Sequence, residues 1–298
     1  MKIPFGTISI TQKSKDLIGQ ILDSGRVSTG RYVREFEERF ADLLGVKEAV
    51  AVSSGTDADT LVLAVLHDFG AKREDEVILP ALSFVATGNA VLHAGFKPVF
   101  VDIERETLNI NPRKIEEKIT EKTKAILPVH LMGKPAEIDI INEIAKRHNL
   151  FVIEDAAESH GTTYKGKNVG TIGDLGAFST YVAHMISTIE GGVVVTNRSD
   201  FAEILRSLRS HGRACDCKIC ALNVSSGYCP KRFKGGQDIR FIFERIGYSA
   251  KMNELEAAIG LGNLDVYQDI LGKRRKNLLY LTQKFEKFSQ YLSTTKEG

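Results

Sequence analysis

The chain has 298 residues, 43% of them hydrophobic and 26% charged, with a formal net charge of +2, which suits one large globular domain or one domain plus part of another. No apolar run is long enough to cross a bilayer, the first residues lack the apolar stretch of a secretory signal, and the interspersed charges give no reason to expect nucleic acid as a partner. A cytosolic location is the default expectation.

In chain order, VREFEERFADLL (33–44) places Val33, Phe36, Phe40 and Leu43 on one helical face. EAVAVSSGT (48–56) reads as a buried strand ending in a small-residue turn, and 57–70 as a helix stopped by Gly70. Strands are expected at 76–80, 97–103, 124–130, 149–157, 175–180 and 191–197, with helices at 83–95 and 136–149 between them. From residue 251 the pattern becomes one long helix. Apolar strands alternating with helices predict an α/β fold with three layers, α/β/α, and a mostly parallel sheet. Residues 1–250 then form a large domain, and 251–298 a helical connection towards a small domain that is largely absent.

Ligands of such sheets gather at the carboxyl ends of the strands, and three polar clusters fall there. Ser53-Ser54-Gly55-Thr56 offers amides and hydroxyls at a helix start, suited to a phosphate or to ordinary capping. Asp155 follows an apolar strand, where an ionised carboxylate needs a cation such as a protonated pyridine, or else caps a helix. His184 lies in FSTYVAHMISTIEGG (178–192) and alone would read as a structural histidine. The four cysteines, Cys215, Cys217, Cys220 and Cys229, are confined to a 211–233 insert. Their spacing suits an iron–sulfur cluster or a structural zinc better than disulfides in a reducing compartment.

Taken together, SGRVSTGRYVREFEERFADLLG, AVSSGTDAD, VILPALSFVATGNAVLHAG, IEDAAESHGTTYKGKNVGTIGDLGAFS, EGGVVVTN and GYSAKMNELEAAIGL resemble the DegT/DnrJ/EryC1/StrS family of sugar aminotransferases and dehydratases. The resemblance runs from about Pro4 to Leu264 and implies the pyridoxal-phosphate-dependent transferase fold type I. It implies that Gly55, Thr56 and Ser179 hold the cofactor phosphate, Phe84 stacks on its ring, Asp155 pairs with its ring nitrogen, and Glu158 lies near its ring hydroxyl. Ser249 stands where many members carry an asparagine that reaches the partner subunit's phosphate.

His184 occupies the position of the family's Schiff-base lysine. Imidazole cannot form that bond but can move protons near neutrality. YVAHMIS and the cysteine-rich insert before KRF resemble the lysine-lacking, iron–sulfur CDP-4-keto-6-deoxyglucose 3-dehydrase branch. The implied activity is a 3-dehydratase or deoxygenase, with His184 as catalytic base, pyridoxamine or pyridoxal 5′-phosphate as cofactor, and a nucleotide-linked 4-keto-6-deoxyhexose as substrate. Deoxysugar or surface polysaccharide biosynthesis is the expected setting. A [2Fe-2S] cluster with an electron-donating reductase, and a homodimer, belong to the same expectation. The alternatives are an aminotransferase, or an inactive paralogue or fragment with a binding role. Family members usually continue for about another hundred residues past the point where this chain stops.

Overall fold

The computed structural model describes residues 7–215, 217–218 and 228–291. Helix α1 (Gln12–Ser24) starts at Thr11, whose hydroxyl accepts the Ser14 amide, and stops at Gly25 with φ 65°. Helix α2 (Arg31–Leu44) has no cap from its own N-terminal residue. Glu254, more than two hundred positions away in sequence, supplies one. Its carboxylate accepts the amides of Gly30, Tyr32 and Val33 at 2.9–3.1 Å, satisfying donors that the first helical turn leaves open.

Then follow β1 (Glu48–Val52), α3 (Gly55–Ala64), β2 (Glu76–Pro80), α4 (Val85–His93), β3 (Lys97–Val101), β4 (Thr123–Ile126), α5 (Ile138–His148) and β5 (Phe151–Asp155). A two-residue hairpin, β6 (Thr163–Tyr164) and β7 (Lys167–Asn168), precedes β8 (Leu175–Ser179), β9 (Gly192–Thr196) and α6 (Ser199–Leu208). A second hairpin, β10 (Phe233–Lys234) with β11 (Gln237–Asp238), precedes α7 (Glu254–Phe285), a 32-residue helix opened by an Asn253/Glu256 capping box. The expected elements are present, most of them shorter than the sequence pattern suggests. The SSGT turn is not an extension of β1, because Gly55 and Thr56 already belong to α3.

The main sheet has seven strands in the order β1-β9-β8-β5-β4-β2-β3. Among them β9 alone runs against its neighbours. Alternate side chains leave a strand on opposite faces, and the core divides accordingly. Val50, Val52, Val77, Leu79, Ile153 and Val194 pack with α3, α4 and α6. Ala49, Ala51, Val193 and Val195 pack on the other face with α1, α2 and the first part of α7. Ile78, Ile126 and Val152 extend that second face under α5. The result is the expected three-layer α/β/α arrangement.

The first part of α7 is therefore built into the core through Ala257, Ala258, Leu261 and Tyr267. Its last part carries Leu278, Leu279, Tyr280, Leu281 and Phe285 exposed. Among the described residues no helix is long and apolar enough to cross a membrane.

Candidate active site

The parallel strands deliver their polar residues to one edge of the sheet. β5 and β8 are neighbours with Asp155 opposite Ala177, so Asp155 and Ser179 stand at adjacent carboxyl ends. β1 leads into α3 two strands away. Two glycines let these segments meet. A Cβ on Gly55 would lie 2.6 Å from the Ser179 Cβ, and one on Gly192 would lie 2.3 Å from the Ser54 carbonyl oxygen. Neither position accepts a larger residue without moving the turn. The Ser179 side chain is thereby pressed against the first residue of α3, where unpaired amides and the helix dipole favour an anion. Asp57 stabilises the turn from within: its carboxylate accepts the hydroxyls of Ser53 and Ser54 at 2.6 and 2.9 Å. The Asp57 amide in turn donates to the Ser54 hydroxyl, which is the capping role the turn was also expected to play.

Asp155 is 4% exposed. Its backbone is fixed between the Pro128 carbonyl and the His130 amide. Its carboxylate accepts the Thr87 hydroxyl at 2.7 Å and the Ala157 amide at 3.1 Å. Both recorded partners are neutral. Burial raises the carboxyl above the ordinary aspartate range, opposed by the Thr87 and Ala157 hydrogen bonds and by His130, while Glu158 adds to the rise. A buried carboxylate served only by neutral donors is costly unless a cation joins it. The helix-cap alternative is met only in part, since a single amide, that of Ala157, uses it.

Thr87 is a residue the sequence reading missed. It lies on α4 one turn after Ser83, and their hydroxyls are 2.7 Å apart. Phe84 precedes α4, the helix that carries Thr87, and is 70% exposed. Glu158 is exposed, and its carboxylate accepts the Met132 amide at 2.9 Å.

His184 is half-buried in the turn after β8, with its amide bonded to the Tyr181 carbonyl and its ring 6.2 Å from that of Tyr181. Burial lowers its pKa; Glu158 opposes this and Arg274 adds to it. Glu158 thus contributes to the shifts of both Asp155 and His184.

Behind His184 lies His160, also missed in the sequence. It is 2% exposed, 6.3 Å from the His184 ring and 5.4 Å from Phe178. Among the described residues its Nε2 has no hydrogen-bond partner. Burial first, then His184 and Arg274, push its pKa down to about 3. A histidine held neutral in the folded state lets the unfolded chain take up a proton first as pH falls below the ordinary value near 6.5. Its contribution to stability is therefore lost from there downwards. His160→Leu is expected to reduce the loss of unfolding free energy between pH 7 and pH 5 by about 2 kcal/mol. Urea titrations at the two pH values measure it; an unchanged pH difference would contradict a neutral buried imidazole.

Glu154, fully buried beside Asp155, accepts His130 Nε2 and the amides of Gly170, Ile172 and Gly173 at 2.6–2.8 Å. It braces the turn after β4 against the loop before β8. Ser249 is exposed and pairs through its backbone with Ser210.

The cysteine-rich segment is only partly described. Cys215 and Cys217 line a recess of about 140 Å³ together with Arg206, Arg209, Arg213 and Lys218, Cys229 is half-buried elsewhere in the segment, and Cys220 lies outside the described residues. Among the described residues no group of three or more histidine, cysteine or acidic side chains is arranged to hold a metal. The expected four-thiolate site is thus not assembled from the described residues.

The DegT/DnrJ/EryC1/StrS aminotransferase family matches residues 9–298. The chain is 39% identical over 91% of its length to a GDP-perosamine synthase of Caulobacter vibrioides, covering 66% of that protein. It is 35% identical over 96% of its length to a GDP-4-keto-6-deoxy-D-mannose 3-dehydratase of Yersinia pseudotuberculosis, covering 72%. The structure of the E. coli GDP-4-keto-6-deoxy-D-mannose-3-dehydratase with bound hydrated PLP superposes with a TM-score of 0.84 at 34% identity, over 96% of this chain and 73% of that one. The fold is that of the pyridoxal-phosphate-dependent aminotransferases. The chain spans about two thirds of the length of these relatives.

Proposed function

Because the chain belongs to the DegT/DnrJ/EryC1/StrS aminotransferase family, we propose that it holds pyridoxamine or pyridoxal 5′-phosphate at Asp155 and acts as a 3-dehydratase on a nucleotide-linked 4-keto-6-deoxyhexose. The observation that carries the reading is a half-buried imidazole, His184, in the turn after β8, at the position where the family resemblance implies an aminotransferase's lysine.

The residues fit the cofactor. Asp155, buried and with no charged partner at hydrogen-bonding distance among the described residues, supplies the carboxylate that a protonated ring nitrogen requires. Gly55, Thr56 and Ser179 surround the α3 end, where a phosphate is favoured. The exposed Phe84 ring offers a flat apolar face, and the exposed carboxylate of Glu158, which follows Asp155 closely in sequence, accepts the Met132 amide. When bound, the cofactor supplies an amine for the sugar's keto carbon and a ring that accepts negative charge. His184 takes a proton from carbon and returns one, while Asp155 keeps the ring nitrogen protonated. Lacking a lysine amine at 184, the protein cannot retain the cofactor by a covalent bond there, so retention rests on Asp155, the phosphate cradle and stacking. A second copy of the chain and a cytoplasmic location belong to the same reading.

Amino transfer is the second reading, favoured by the identity to GDP-perosamine synthase. The test is a single turnover of the pyridoxamine-phosphate-loaded chain with GDP-, CDP- and dTDP-linked 4-keto-6-deoxyhexoses, followed by mass spectrometry. Dehydration predicts a product that has lost the C3 hydroxyl and holds no nitrogen, with ammonia released. A 4-amino sugar retaining that hydroxyl assigns amino transfer instead. Cofactor uptake without turnover of any sugar overturns both readings and leaves a binding role.

A further inference from the structure

Strand β1 is the outer strand of the sheet, and cations gather along it. Arg206 of α6 and Lys218 of the cysteine-rich segment both donate to the Glu48 carboxylate at the strand's start. Arg209, the residue after α6, donates to the Ala51 carbonyl and to Glu37 at 2.6 Å. Lys251 pairs through its backbone with Val52 at the strand's end. With Arg213 and Arg240 these side chains line the recess of about 140 Å³ that also holds Cys215 and Cys217. Among the described residues six cationic side chains and no acidic one form its wall.

The carboxylates behind that wall are too few to offset it. Glu48 is divided between Arg206 and Lys218, Glu37 between Arg209 and Arg34, and Asp238 between Arg240 and Arg232. Arg206 and Arg209 are 4% and 5% exposed, so water does little to screen the excess charge. Among the described residues the Nε atoms of Arg206 and Arg213 are buried with no hydrogen-bond partner. A buried donor left open costs free energy, and an oxyanion is the acceptor that the guanidinium fork fits best. Pockets for drug-sized ligands run to roughly 300–1,000 Å³. The recess is smaller, and its room suits one tetrahedral anion, not a nucleotide or a pyridine cofactor.

We propose that this recess binds a single phosphate group, as the free ion or as the end of a small phosphate ester. The bound dianion draws Arg213 and Lys218, at the start of the cysteine-rich segment, towards Arg206 and Arg209 at the end of α6, and so fixes the path of that segment along β1. None of the lining residues belongs to the cofactor site, so the phosphate site stands whatever binds at Asp155.

The experiment is equilibrium dialysis of the full chain against ³²P-labelled inorganic phosphate at pH 7, with ionic strength held constant by chloride, in the presence and absence of excess pyridoxamine 5′-phosphate. Wild type is expected to bind phosphate saturably in both conditions. Arg213→Gln is expected to weaken binding by about tenfold or more, the worth of one hydrogen bond to a charged group. Lys218→Gln, at a side chain 45% exposed, is expected to act in the same direction, and it carries the test if Arg213→Gln does not fold. Glucose 1-phosphate competing better than unlabelled phosphate assigns the ester as the source, and competing worse assigns the free ion; both support a phosphate site. Absence of saturable binding overturns the proposal. So does binding that Arg213→Gln and Lys218→Gln leave intact, or binding that pyridoxamine 5′-phosphate abolishes, which would place the ion at the start of α3.

Discussion

Asp155→Asn will raise the melting temperature of the cofactor-free protein and lower its affinity for pyridoxamine phosphate by about 10²–10³-fold, the cost of leaving a buried cation without its partner. The opposite signs are the point. In the cofactor-free protein Asp155 is buried, and among the described residues its carboxylate is bonded by Thr87 and Ala157 alone. Its carboxyl is raised by burial, so at neutral pH the folded state bears a cost that the unfolded state escapes. For an acid raised in this way, stability falls as pH climbs from the ordinary aspartate range towards the folded value. Asparagine keeps the shape and removes that slope. A structural cap would behave differently: losing it would lower the melting temperature and leave cofactor affinity nearly unchanged. Thermal melts from pH 4 to 8 and a cofactor titration separate the two.

Changing His184 to lysine will turn a protein that binds its cofactor reversibly into one that carries pyridoxal phosphate covalently. The amine at 184 will form an imine, which borohydride reduction fixes and peptide mass spectrometry locates. On the proposed reading, dehydration will fall by about 10²–10⁴-fold, the usual worth of a positioned proton-transfer group. His184→Asn will lose turnover to a similar extent while binding pyridoxamine phosphate within about threefold of wild type, because its role is proton movement and not retention. If His184→Lys carries no cofactor at residue 184, the ring is not within reach of that side chain and the site is wrong. If His184→Asn turns over normally, the imidazole is not the base.

Much of this site was legible because it lies in contiguous segments. SSGT, IEDAAESHG and the run from Phe178 to Gly192 are each a strand end followed by polar residues, and parallel topology carries strand ends to one edge. The supporting residues were not legible, because each gains its role from a contact distant in sequence. Thr87 reaches Asp155 across 68 positions. His160 looked like part of a loop, yet packs against Phe40 and Phe178 behind His184. Glu254 reads as an ordinary first-turn acid of α7, yet it caps α2. The apolar periodicity of α7 was visible, but not where it stops contacting the sheet: the helix is core at Leu261 and exposed at Leu279, a change that depends on where α1 and α2 end. The cysteines were conspicuous by spacing, but spacing does not orient thiols. Cys215 and Cys217 share a recess rich in arginine and lysine, which no count of intervening residues foretells.

The most direct test of the central claim is the state of the ring nitrogen. Pyridoxamine phosphate labelled with ¹⁵N in the ring, bound to the full chain, is expected to give a protonated-pyridine chemical shift that stays constant from pH 6 to pH 9 and is lost in Asp155→Asn. A shift that titrates as in free solution, or that is the same in wild type and Asp155→Asn, would contradict the pairing of Asp155 with the ring.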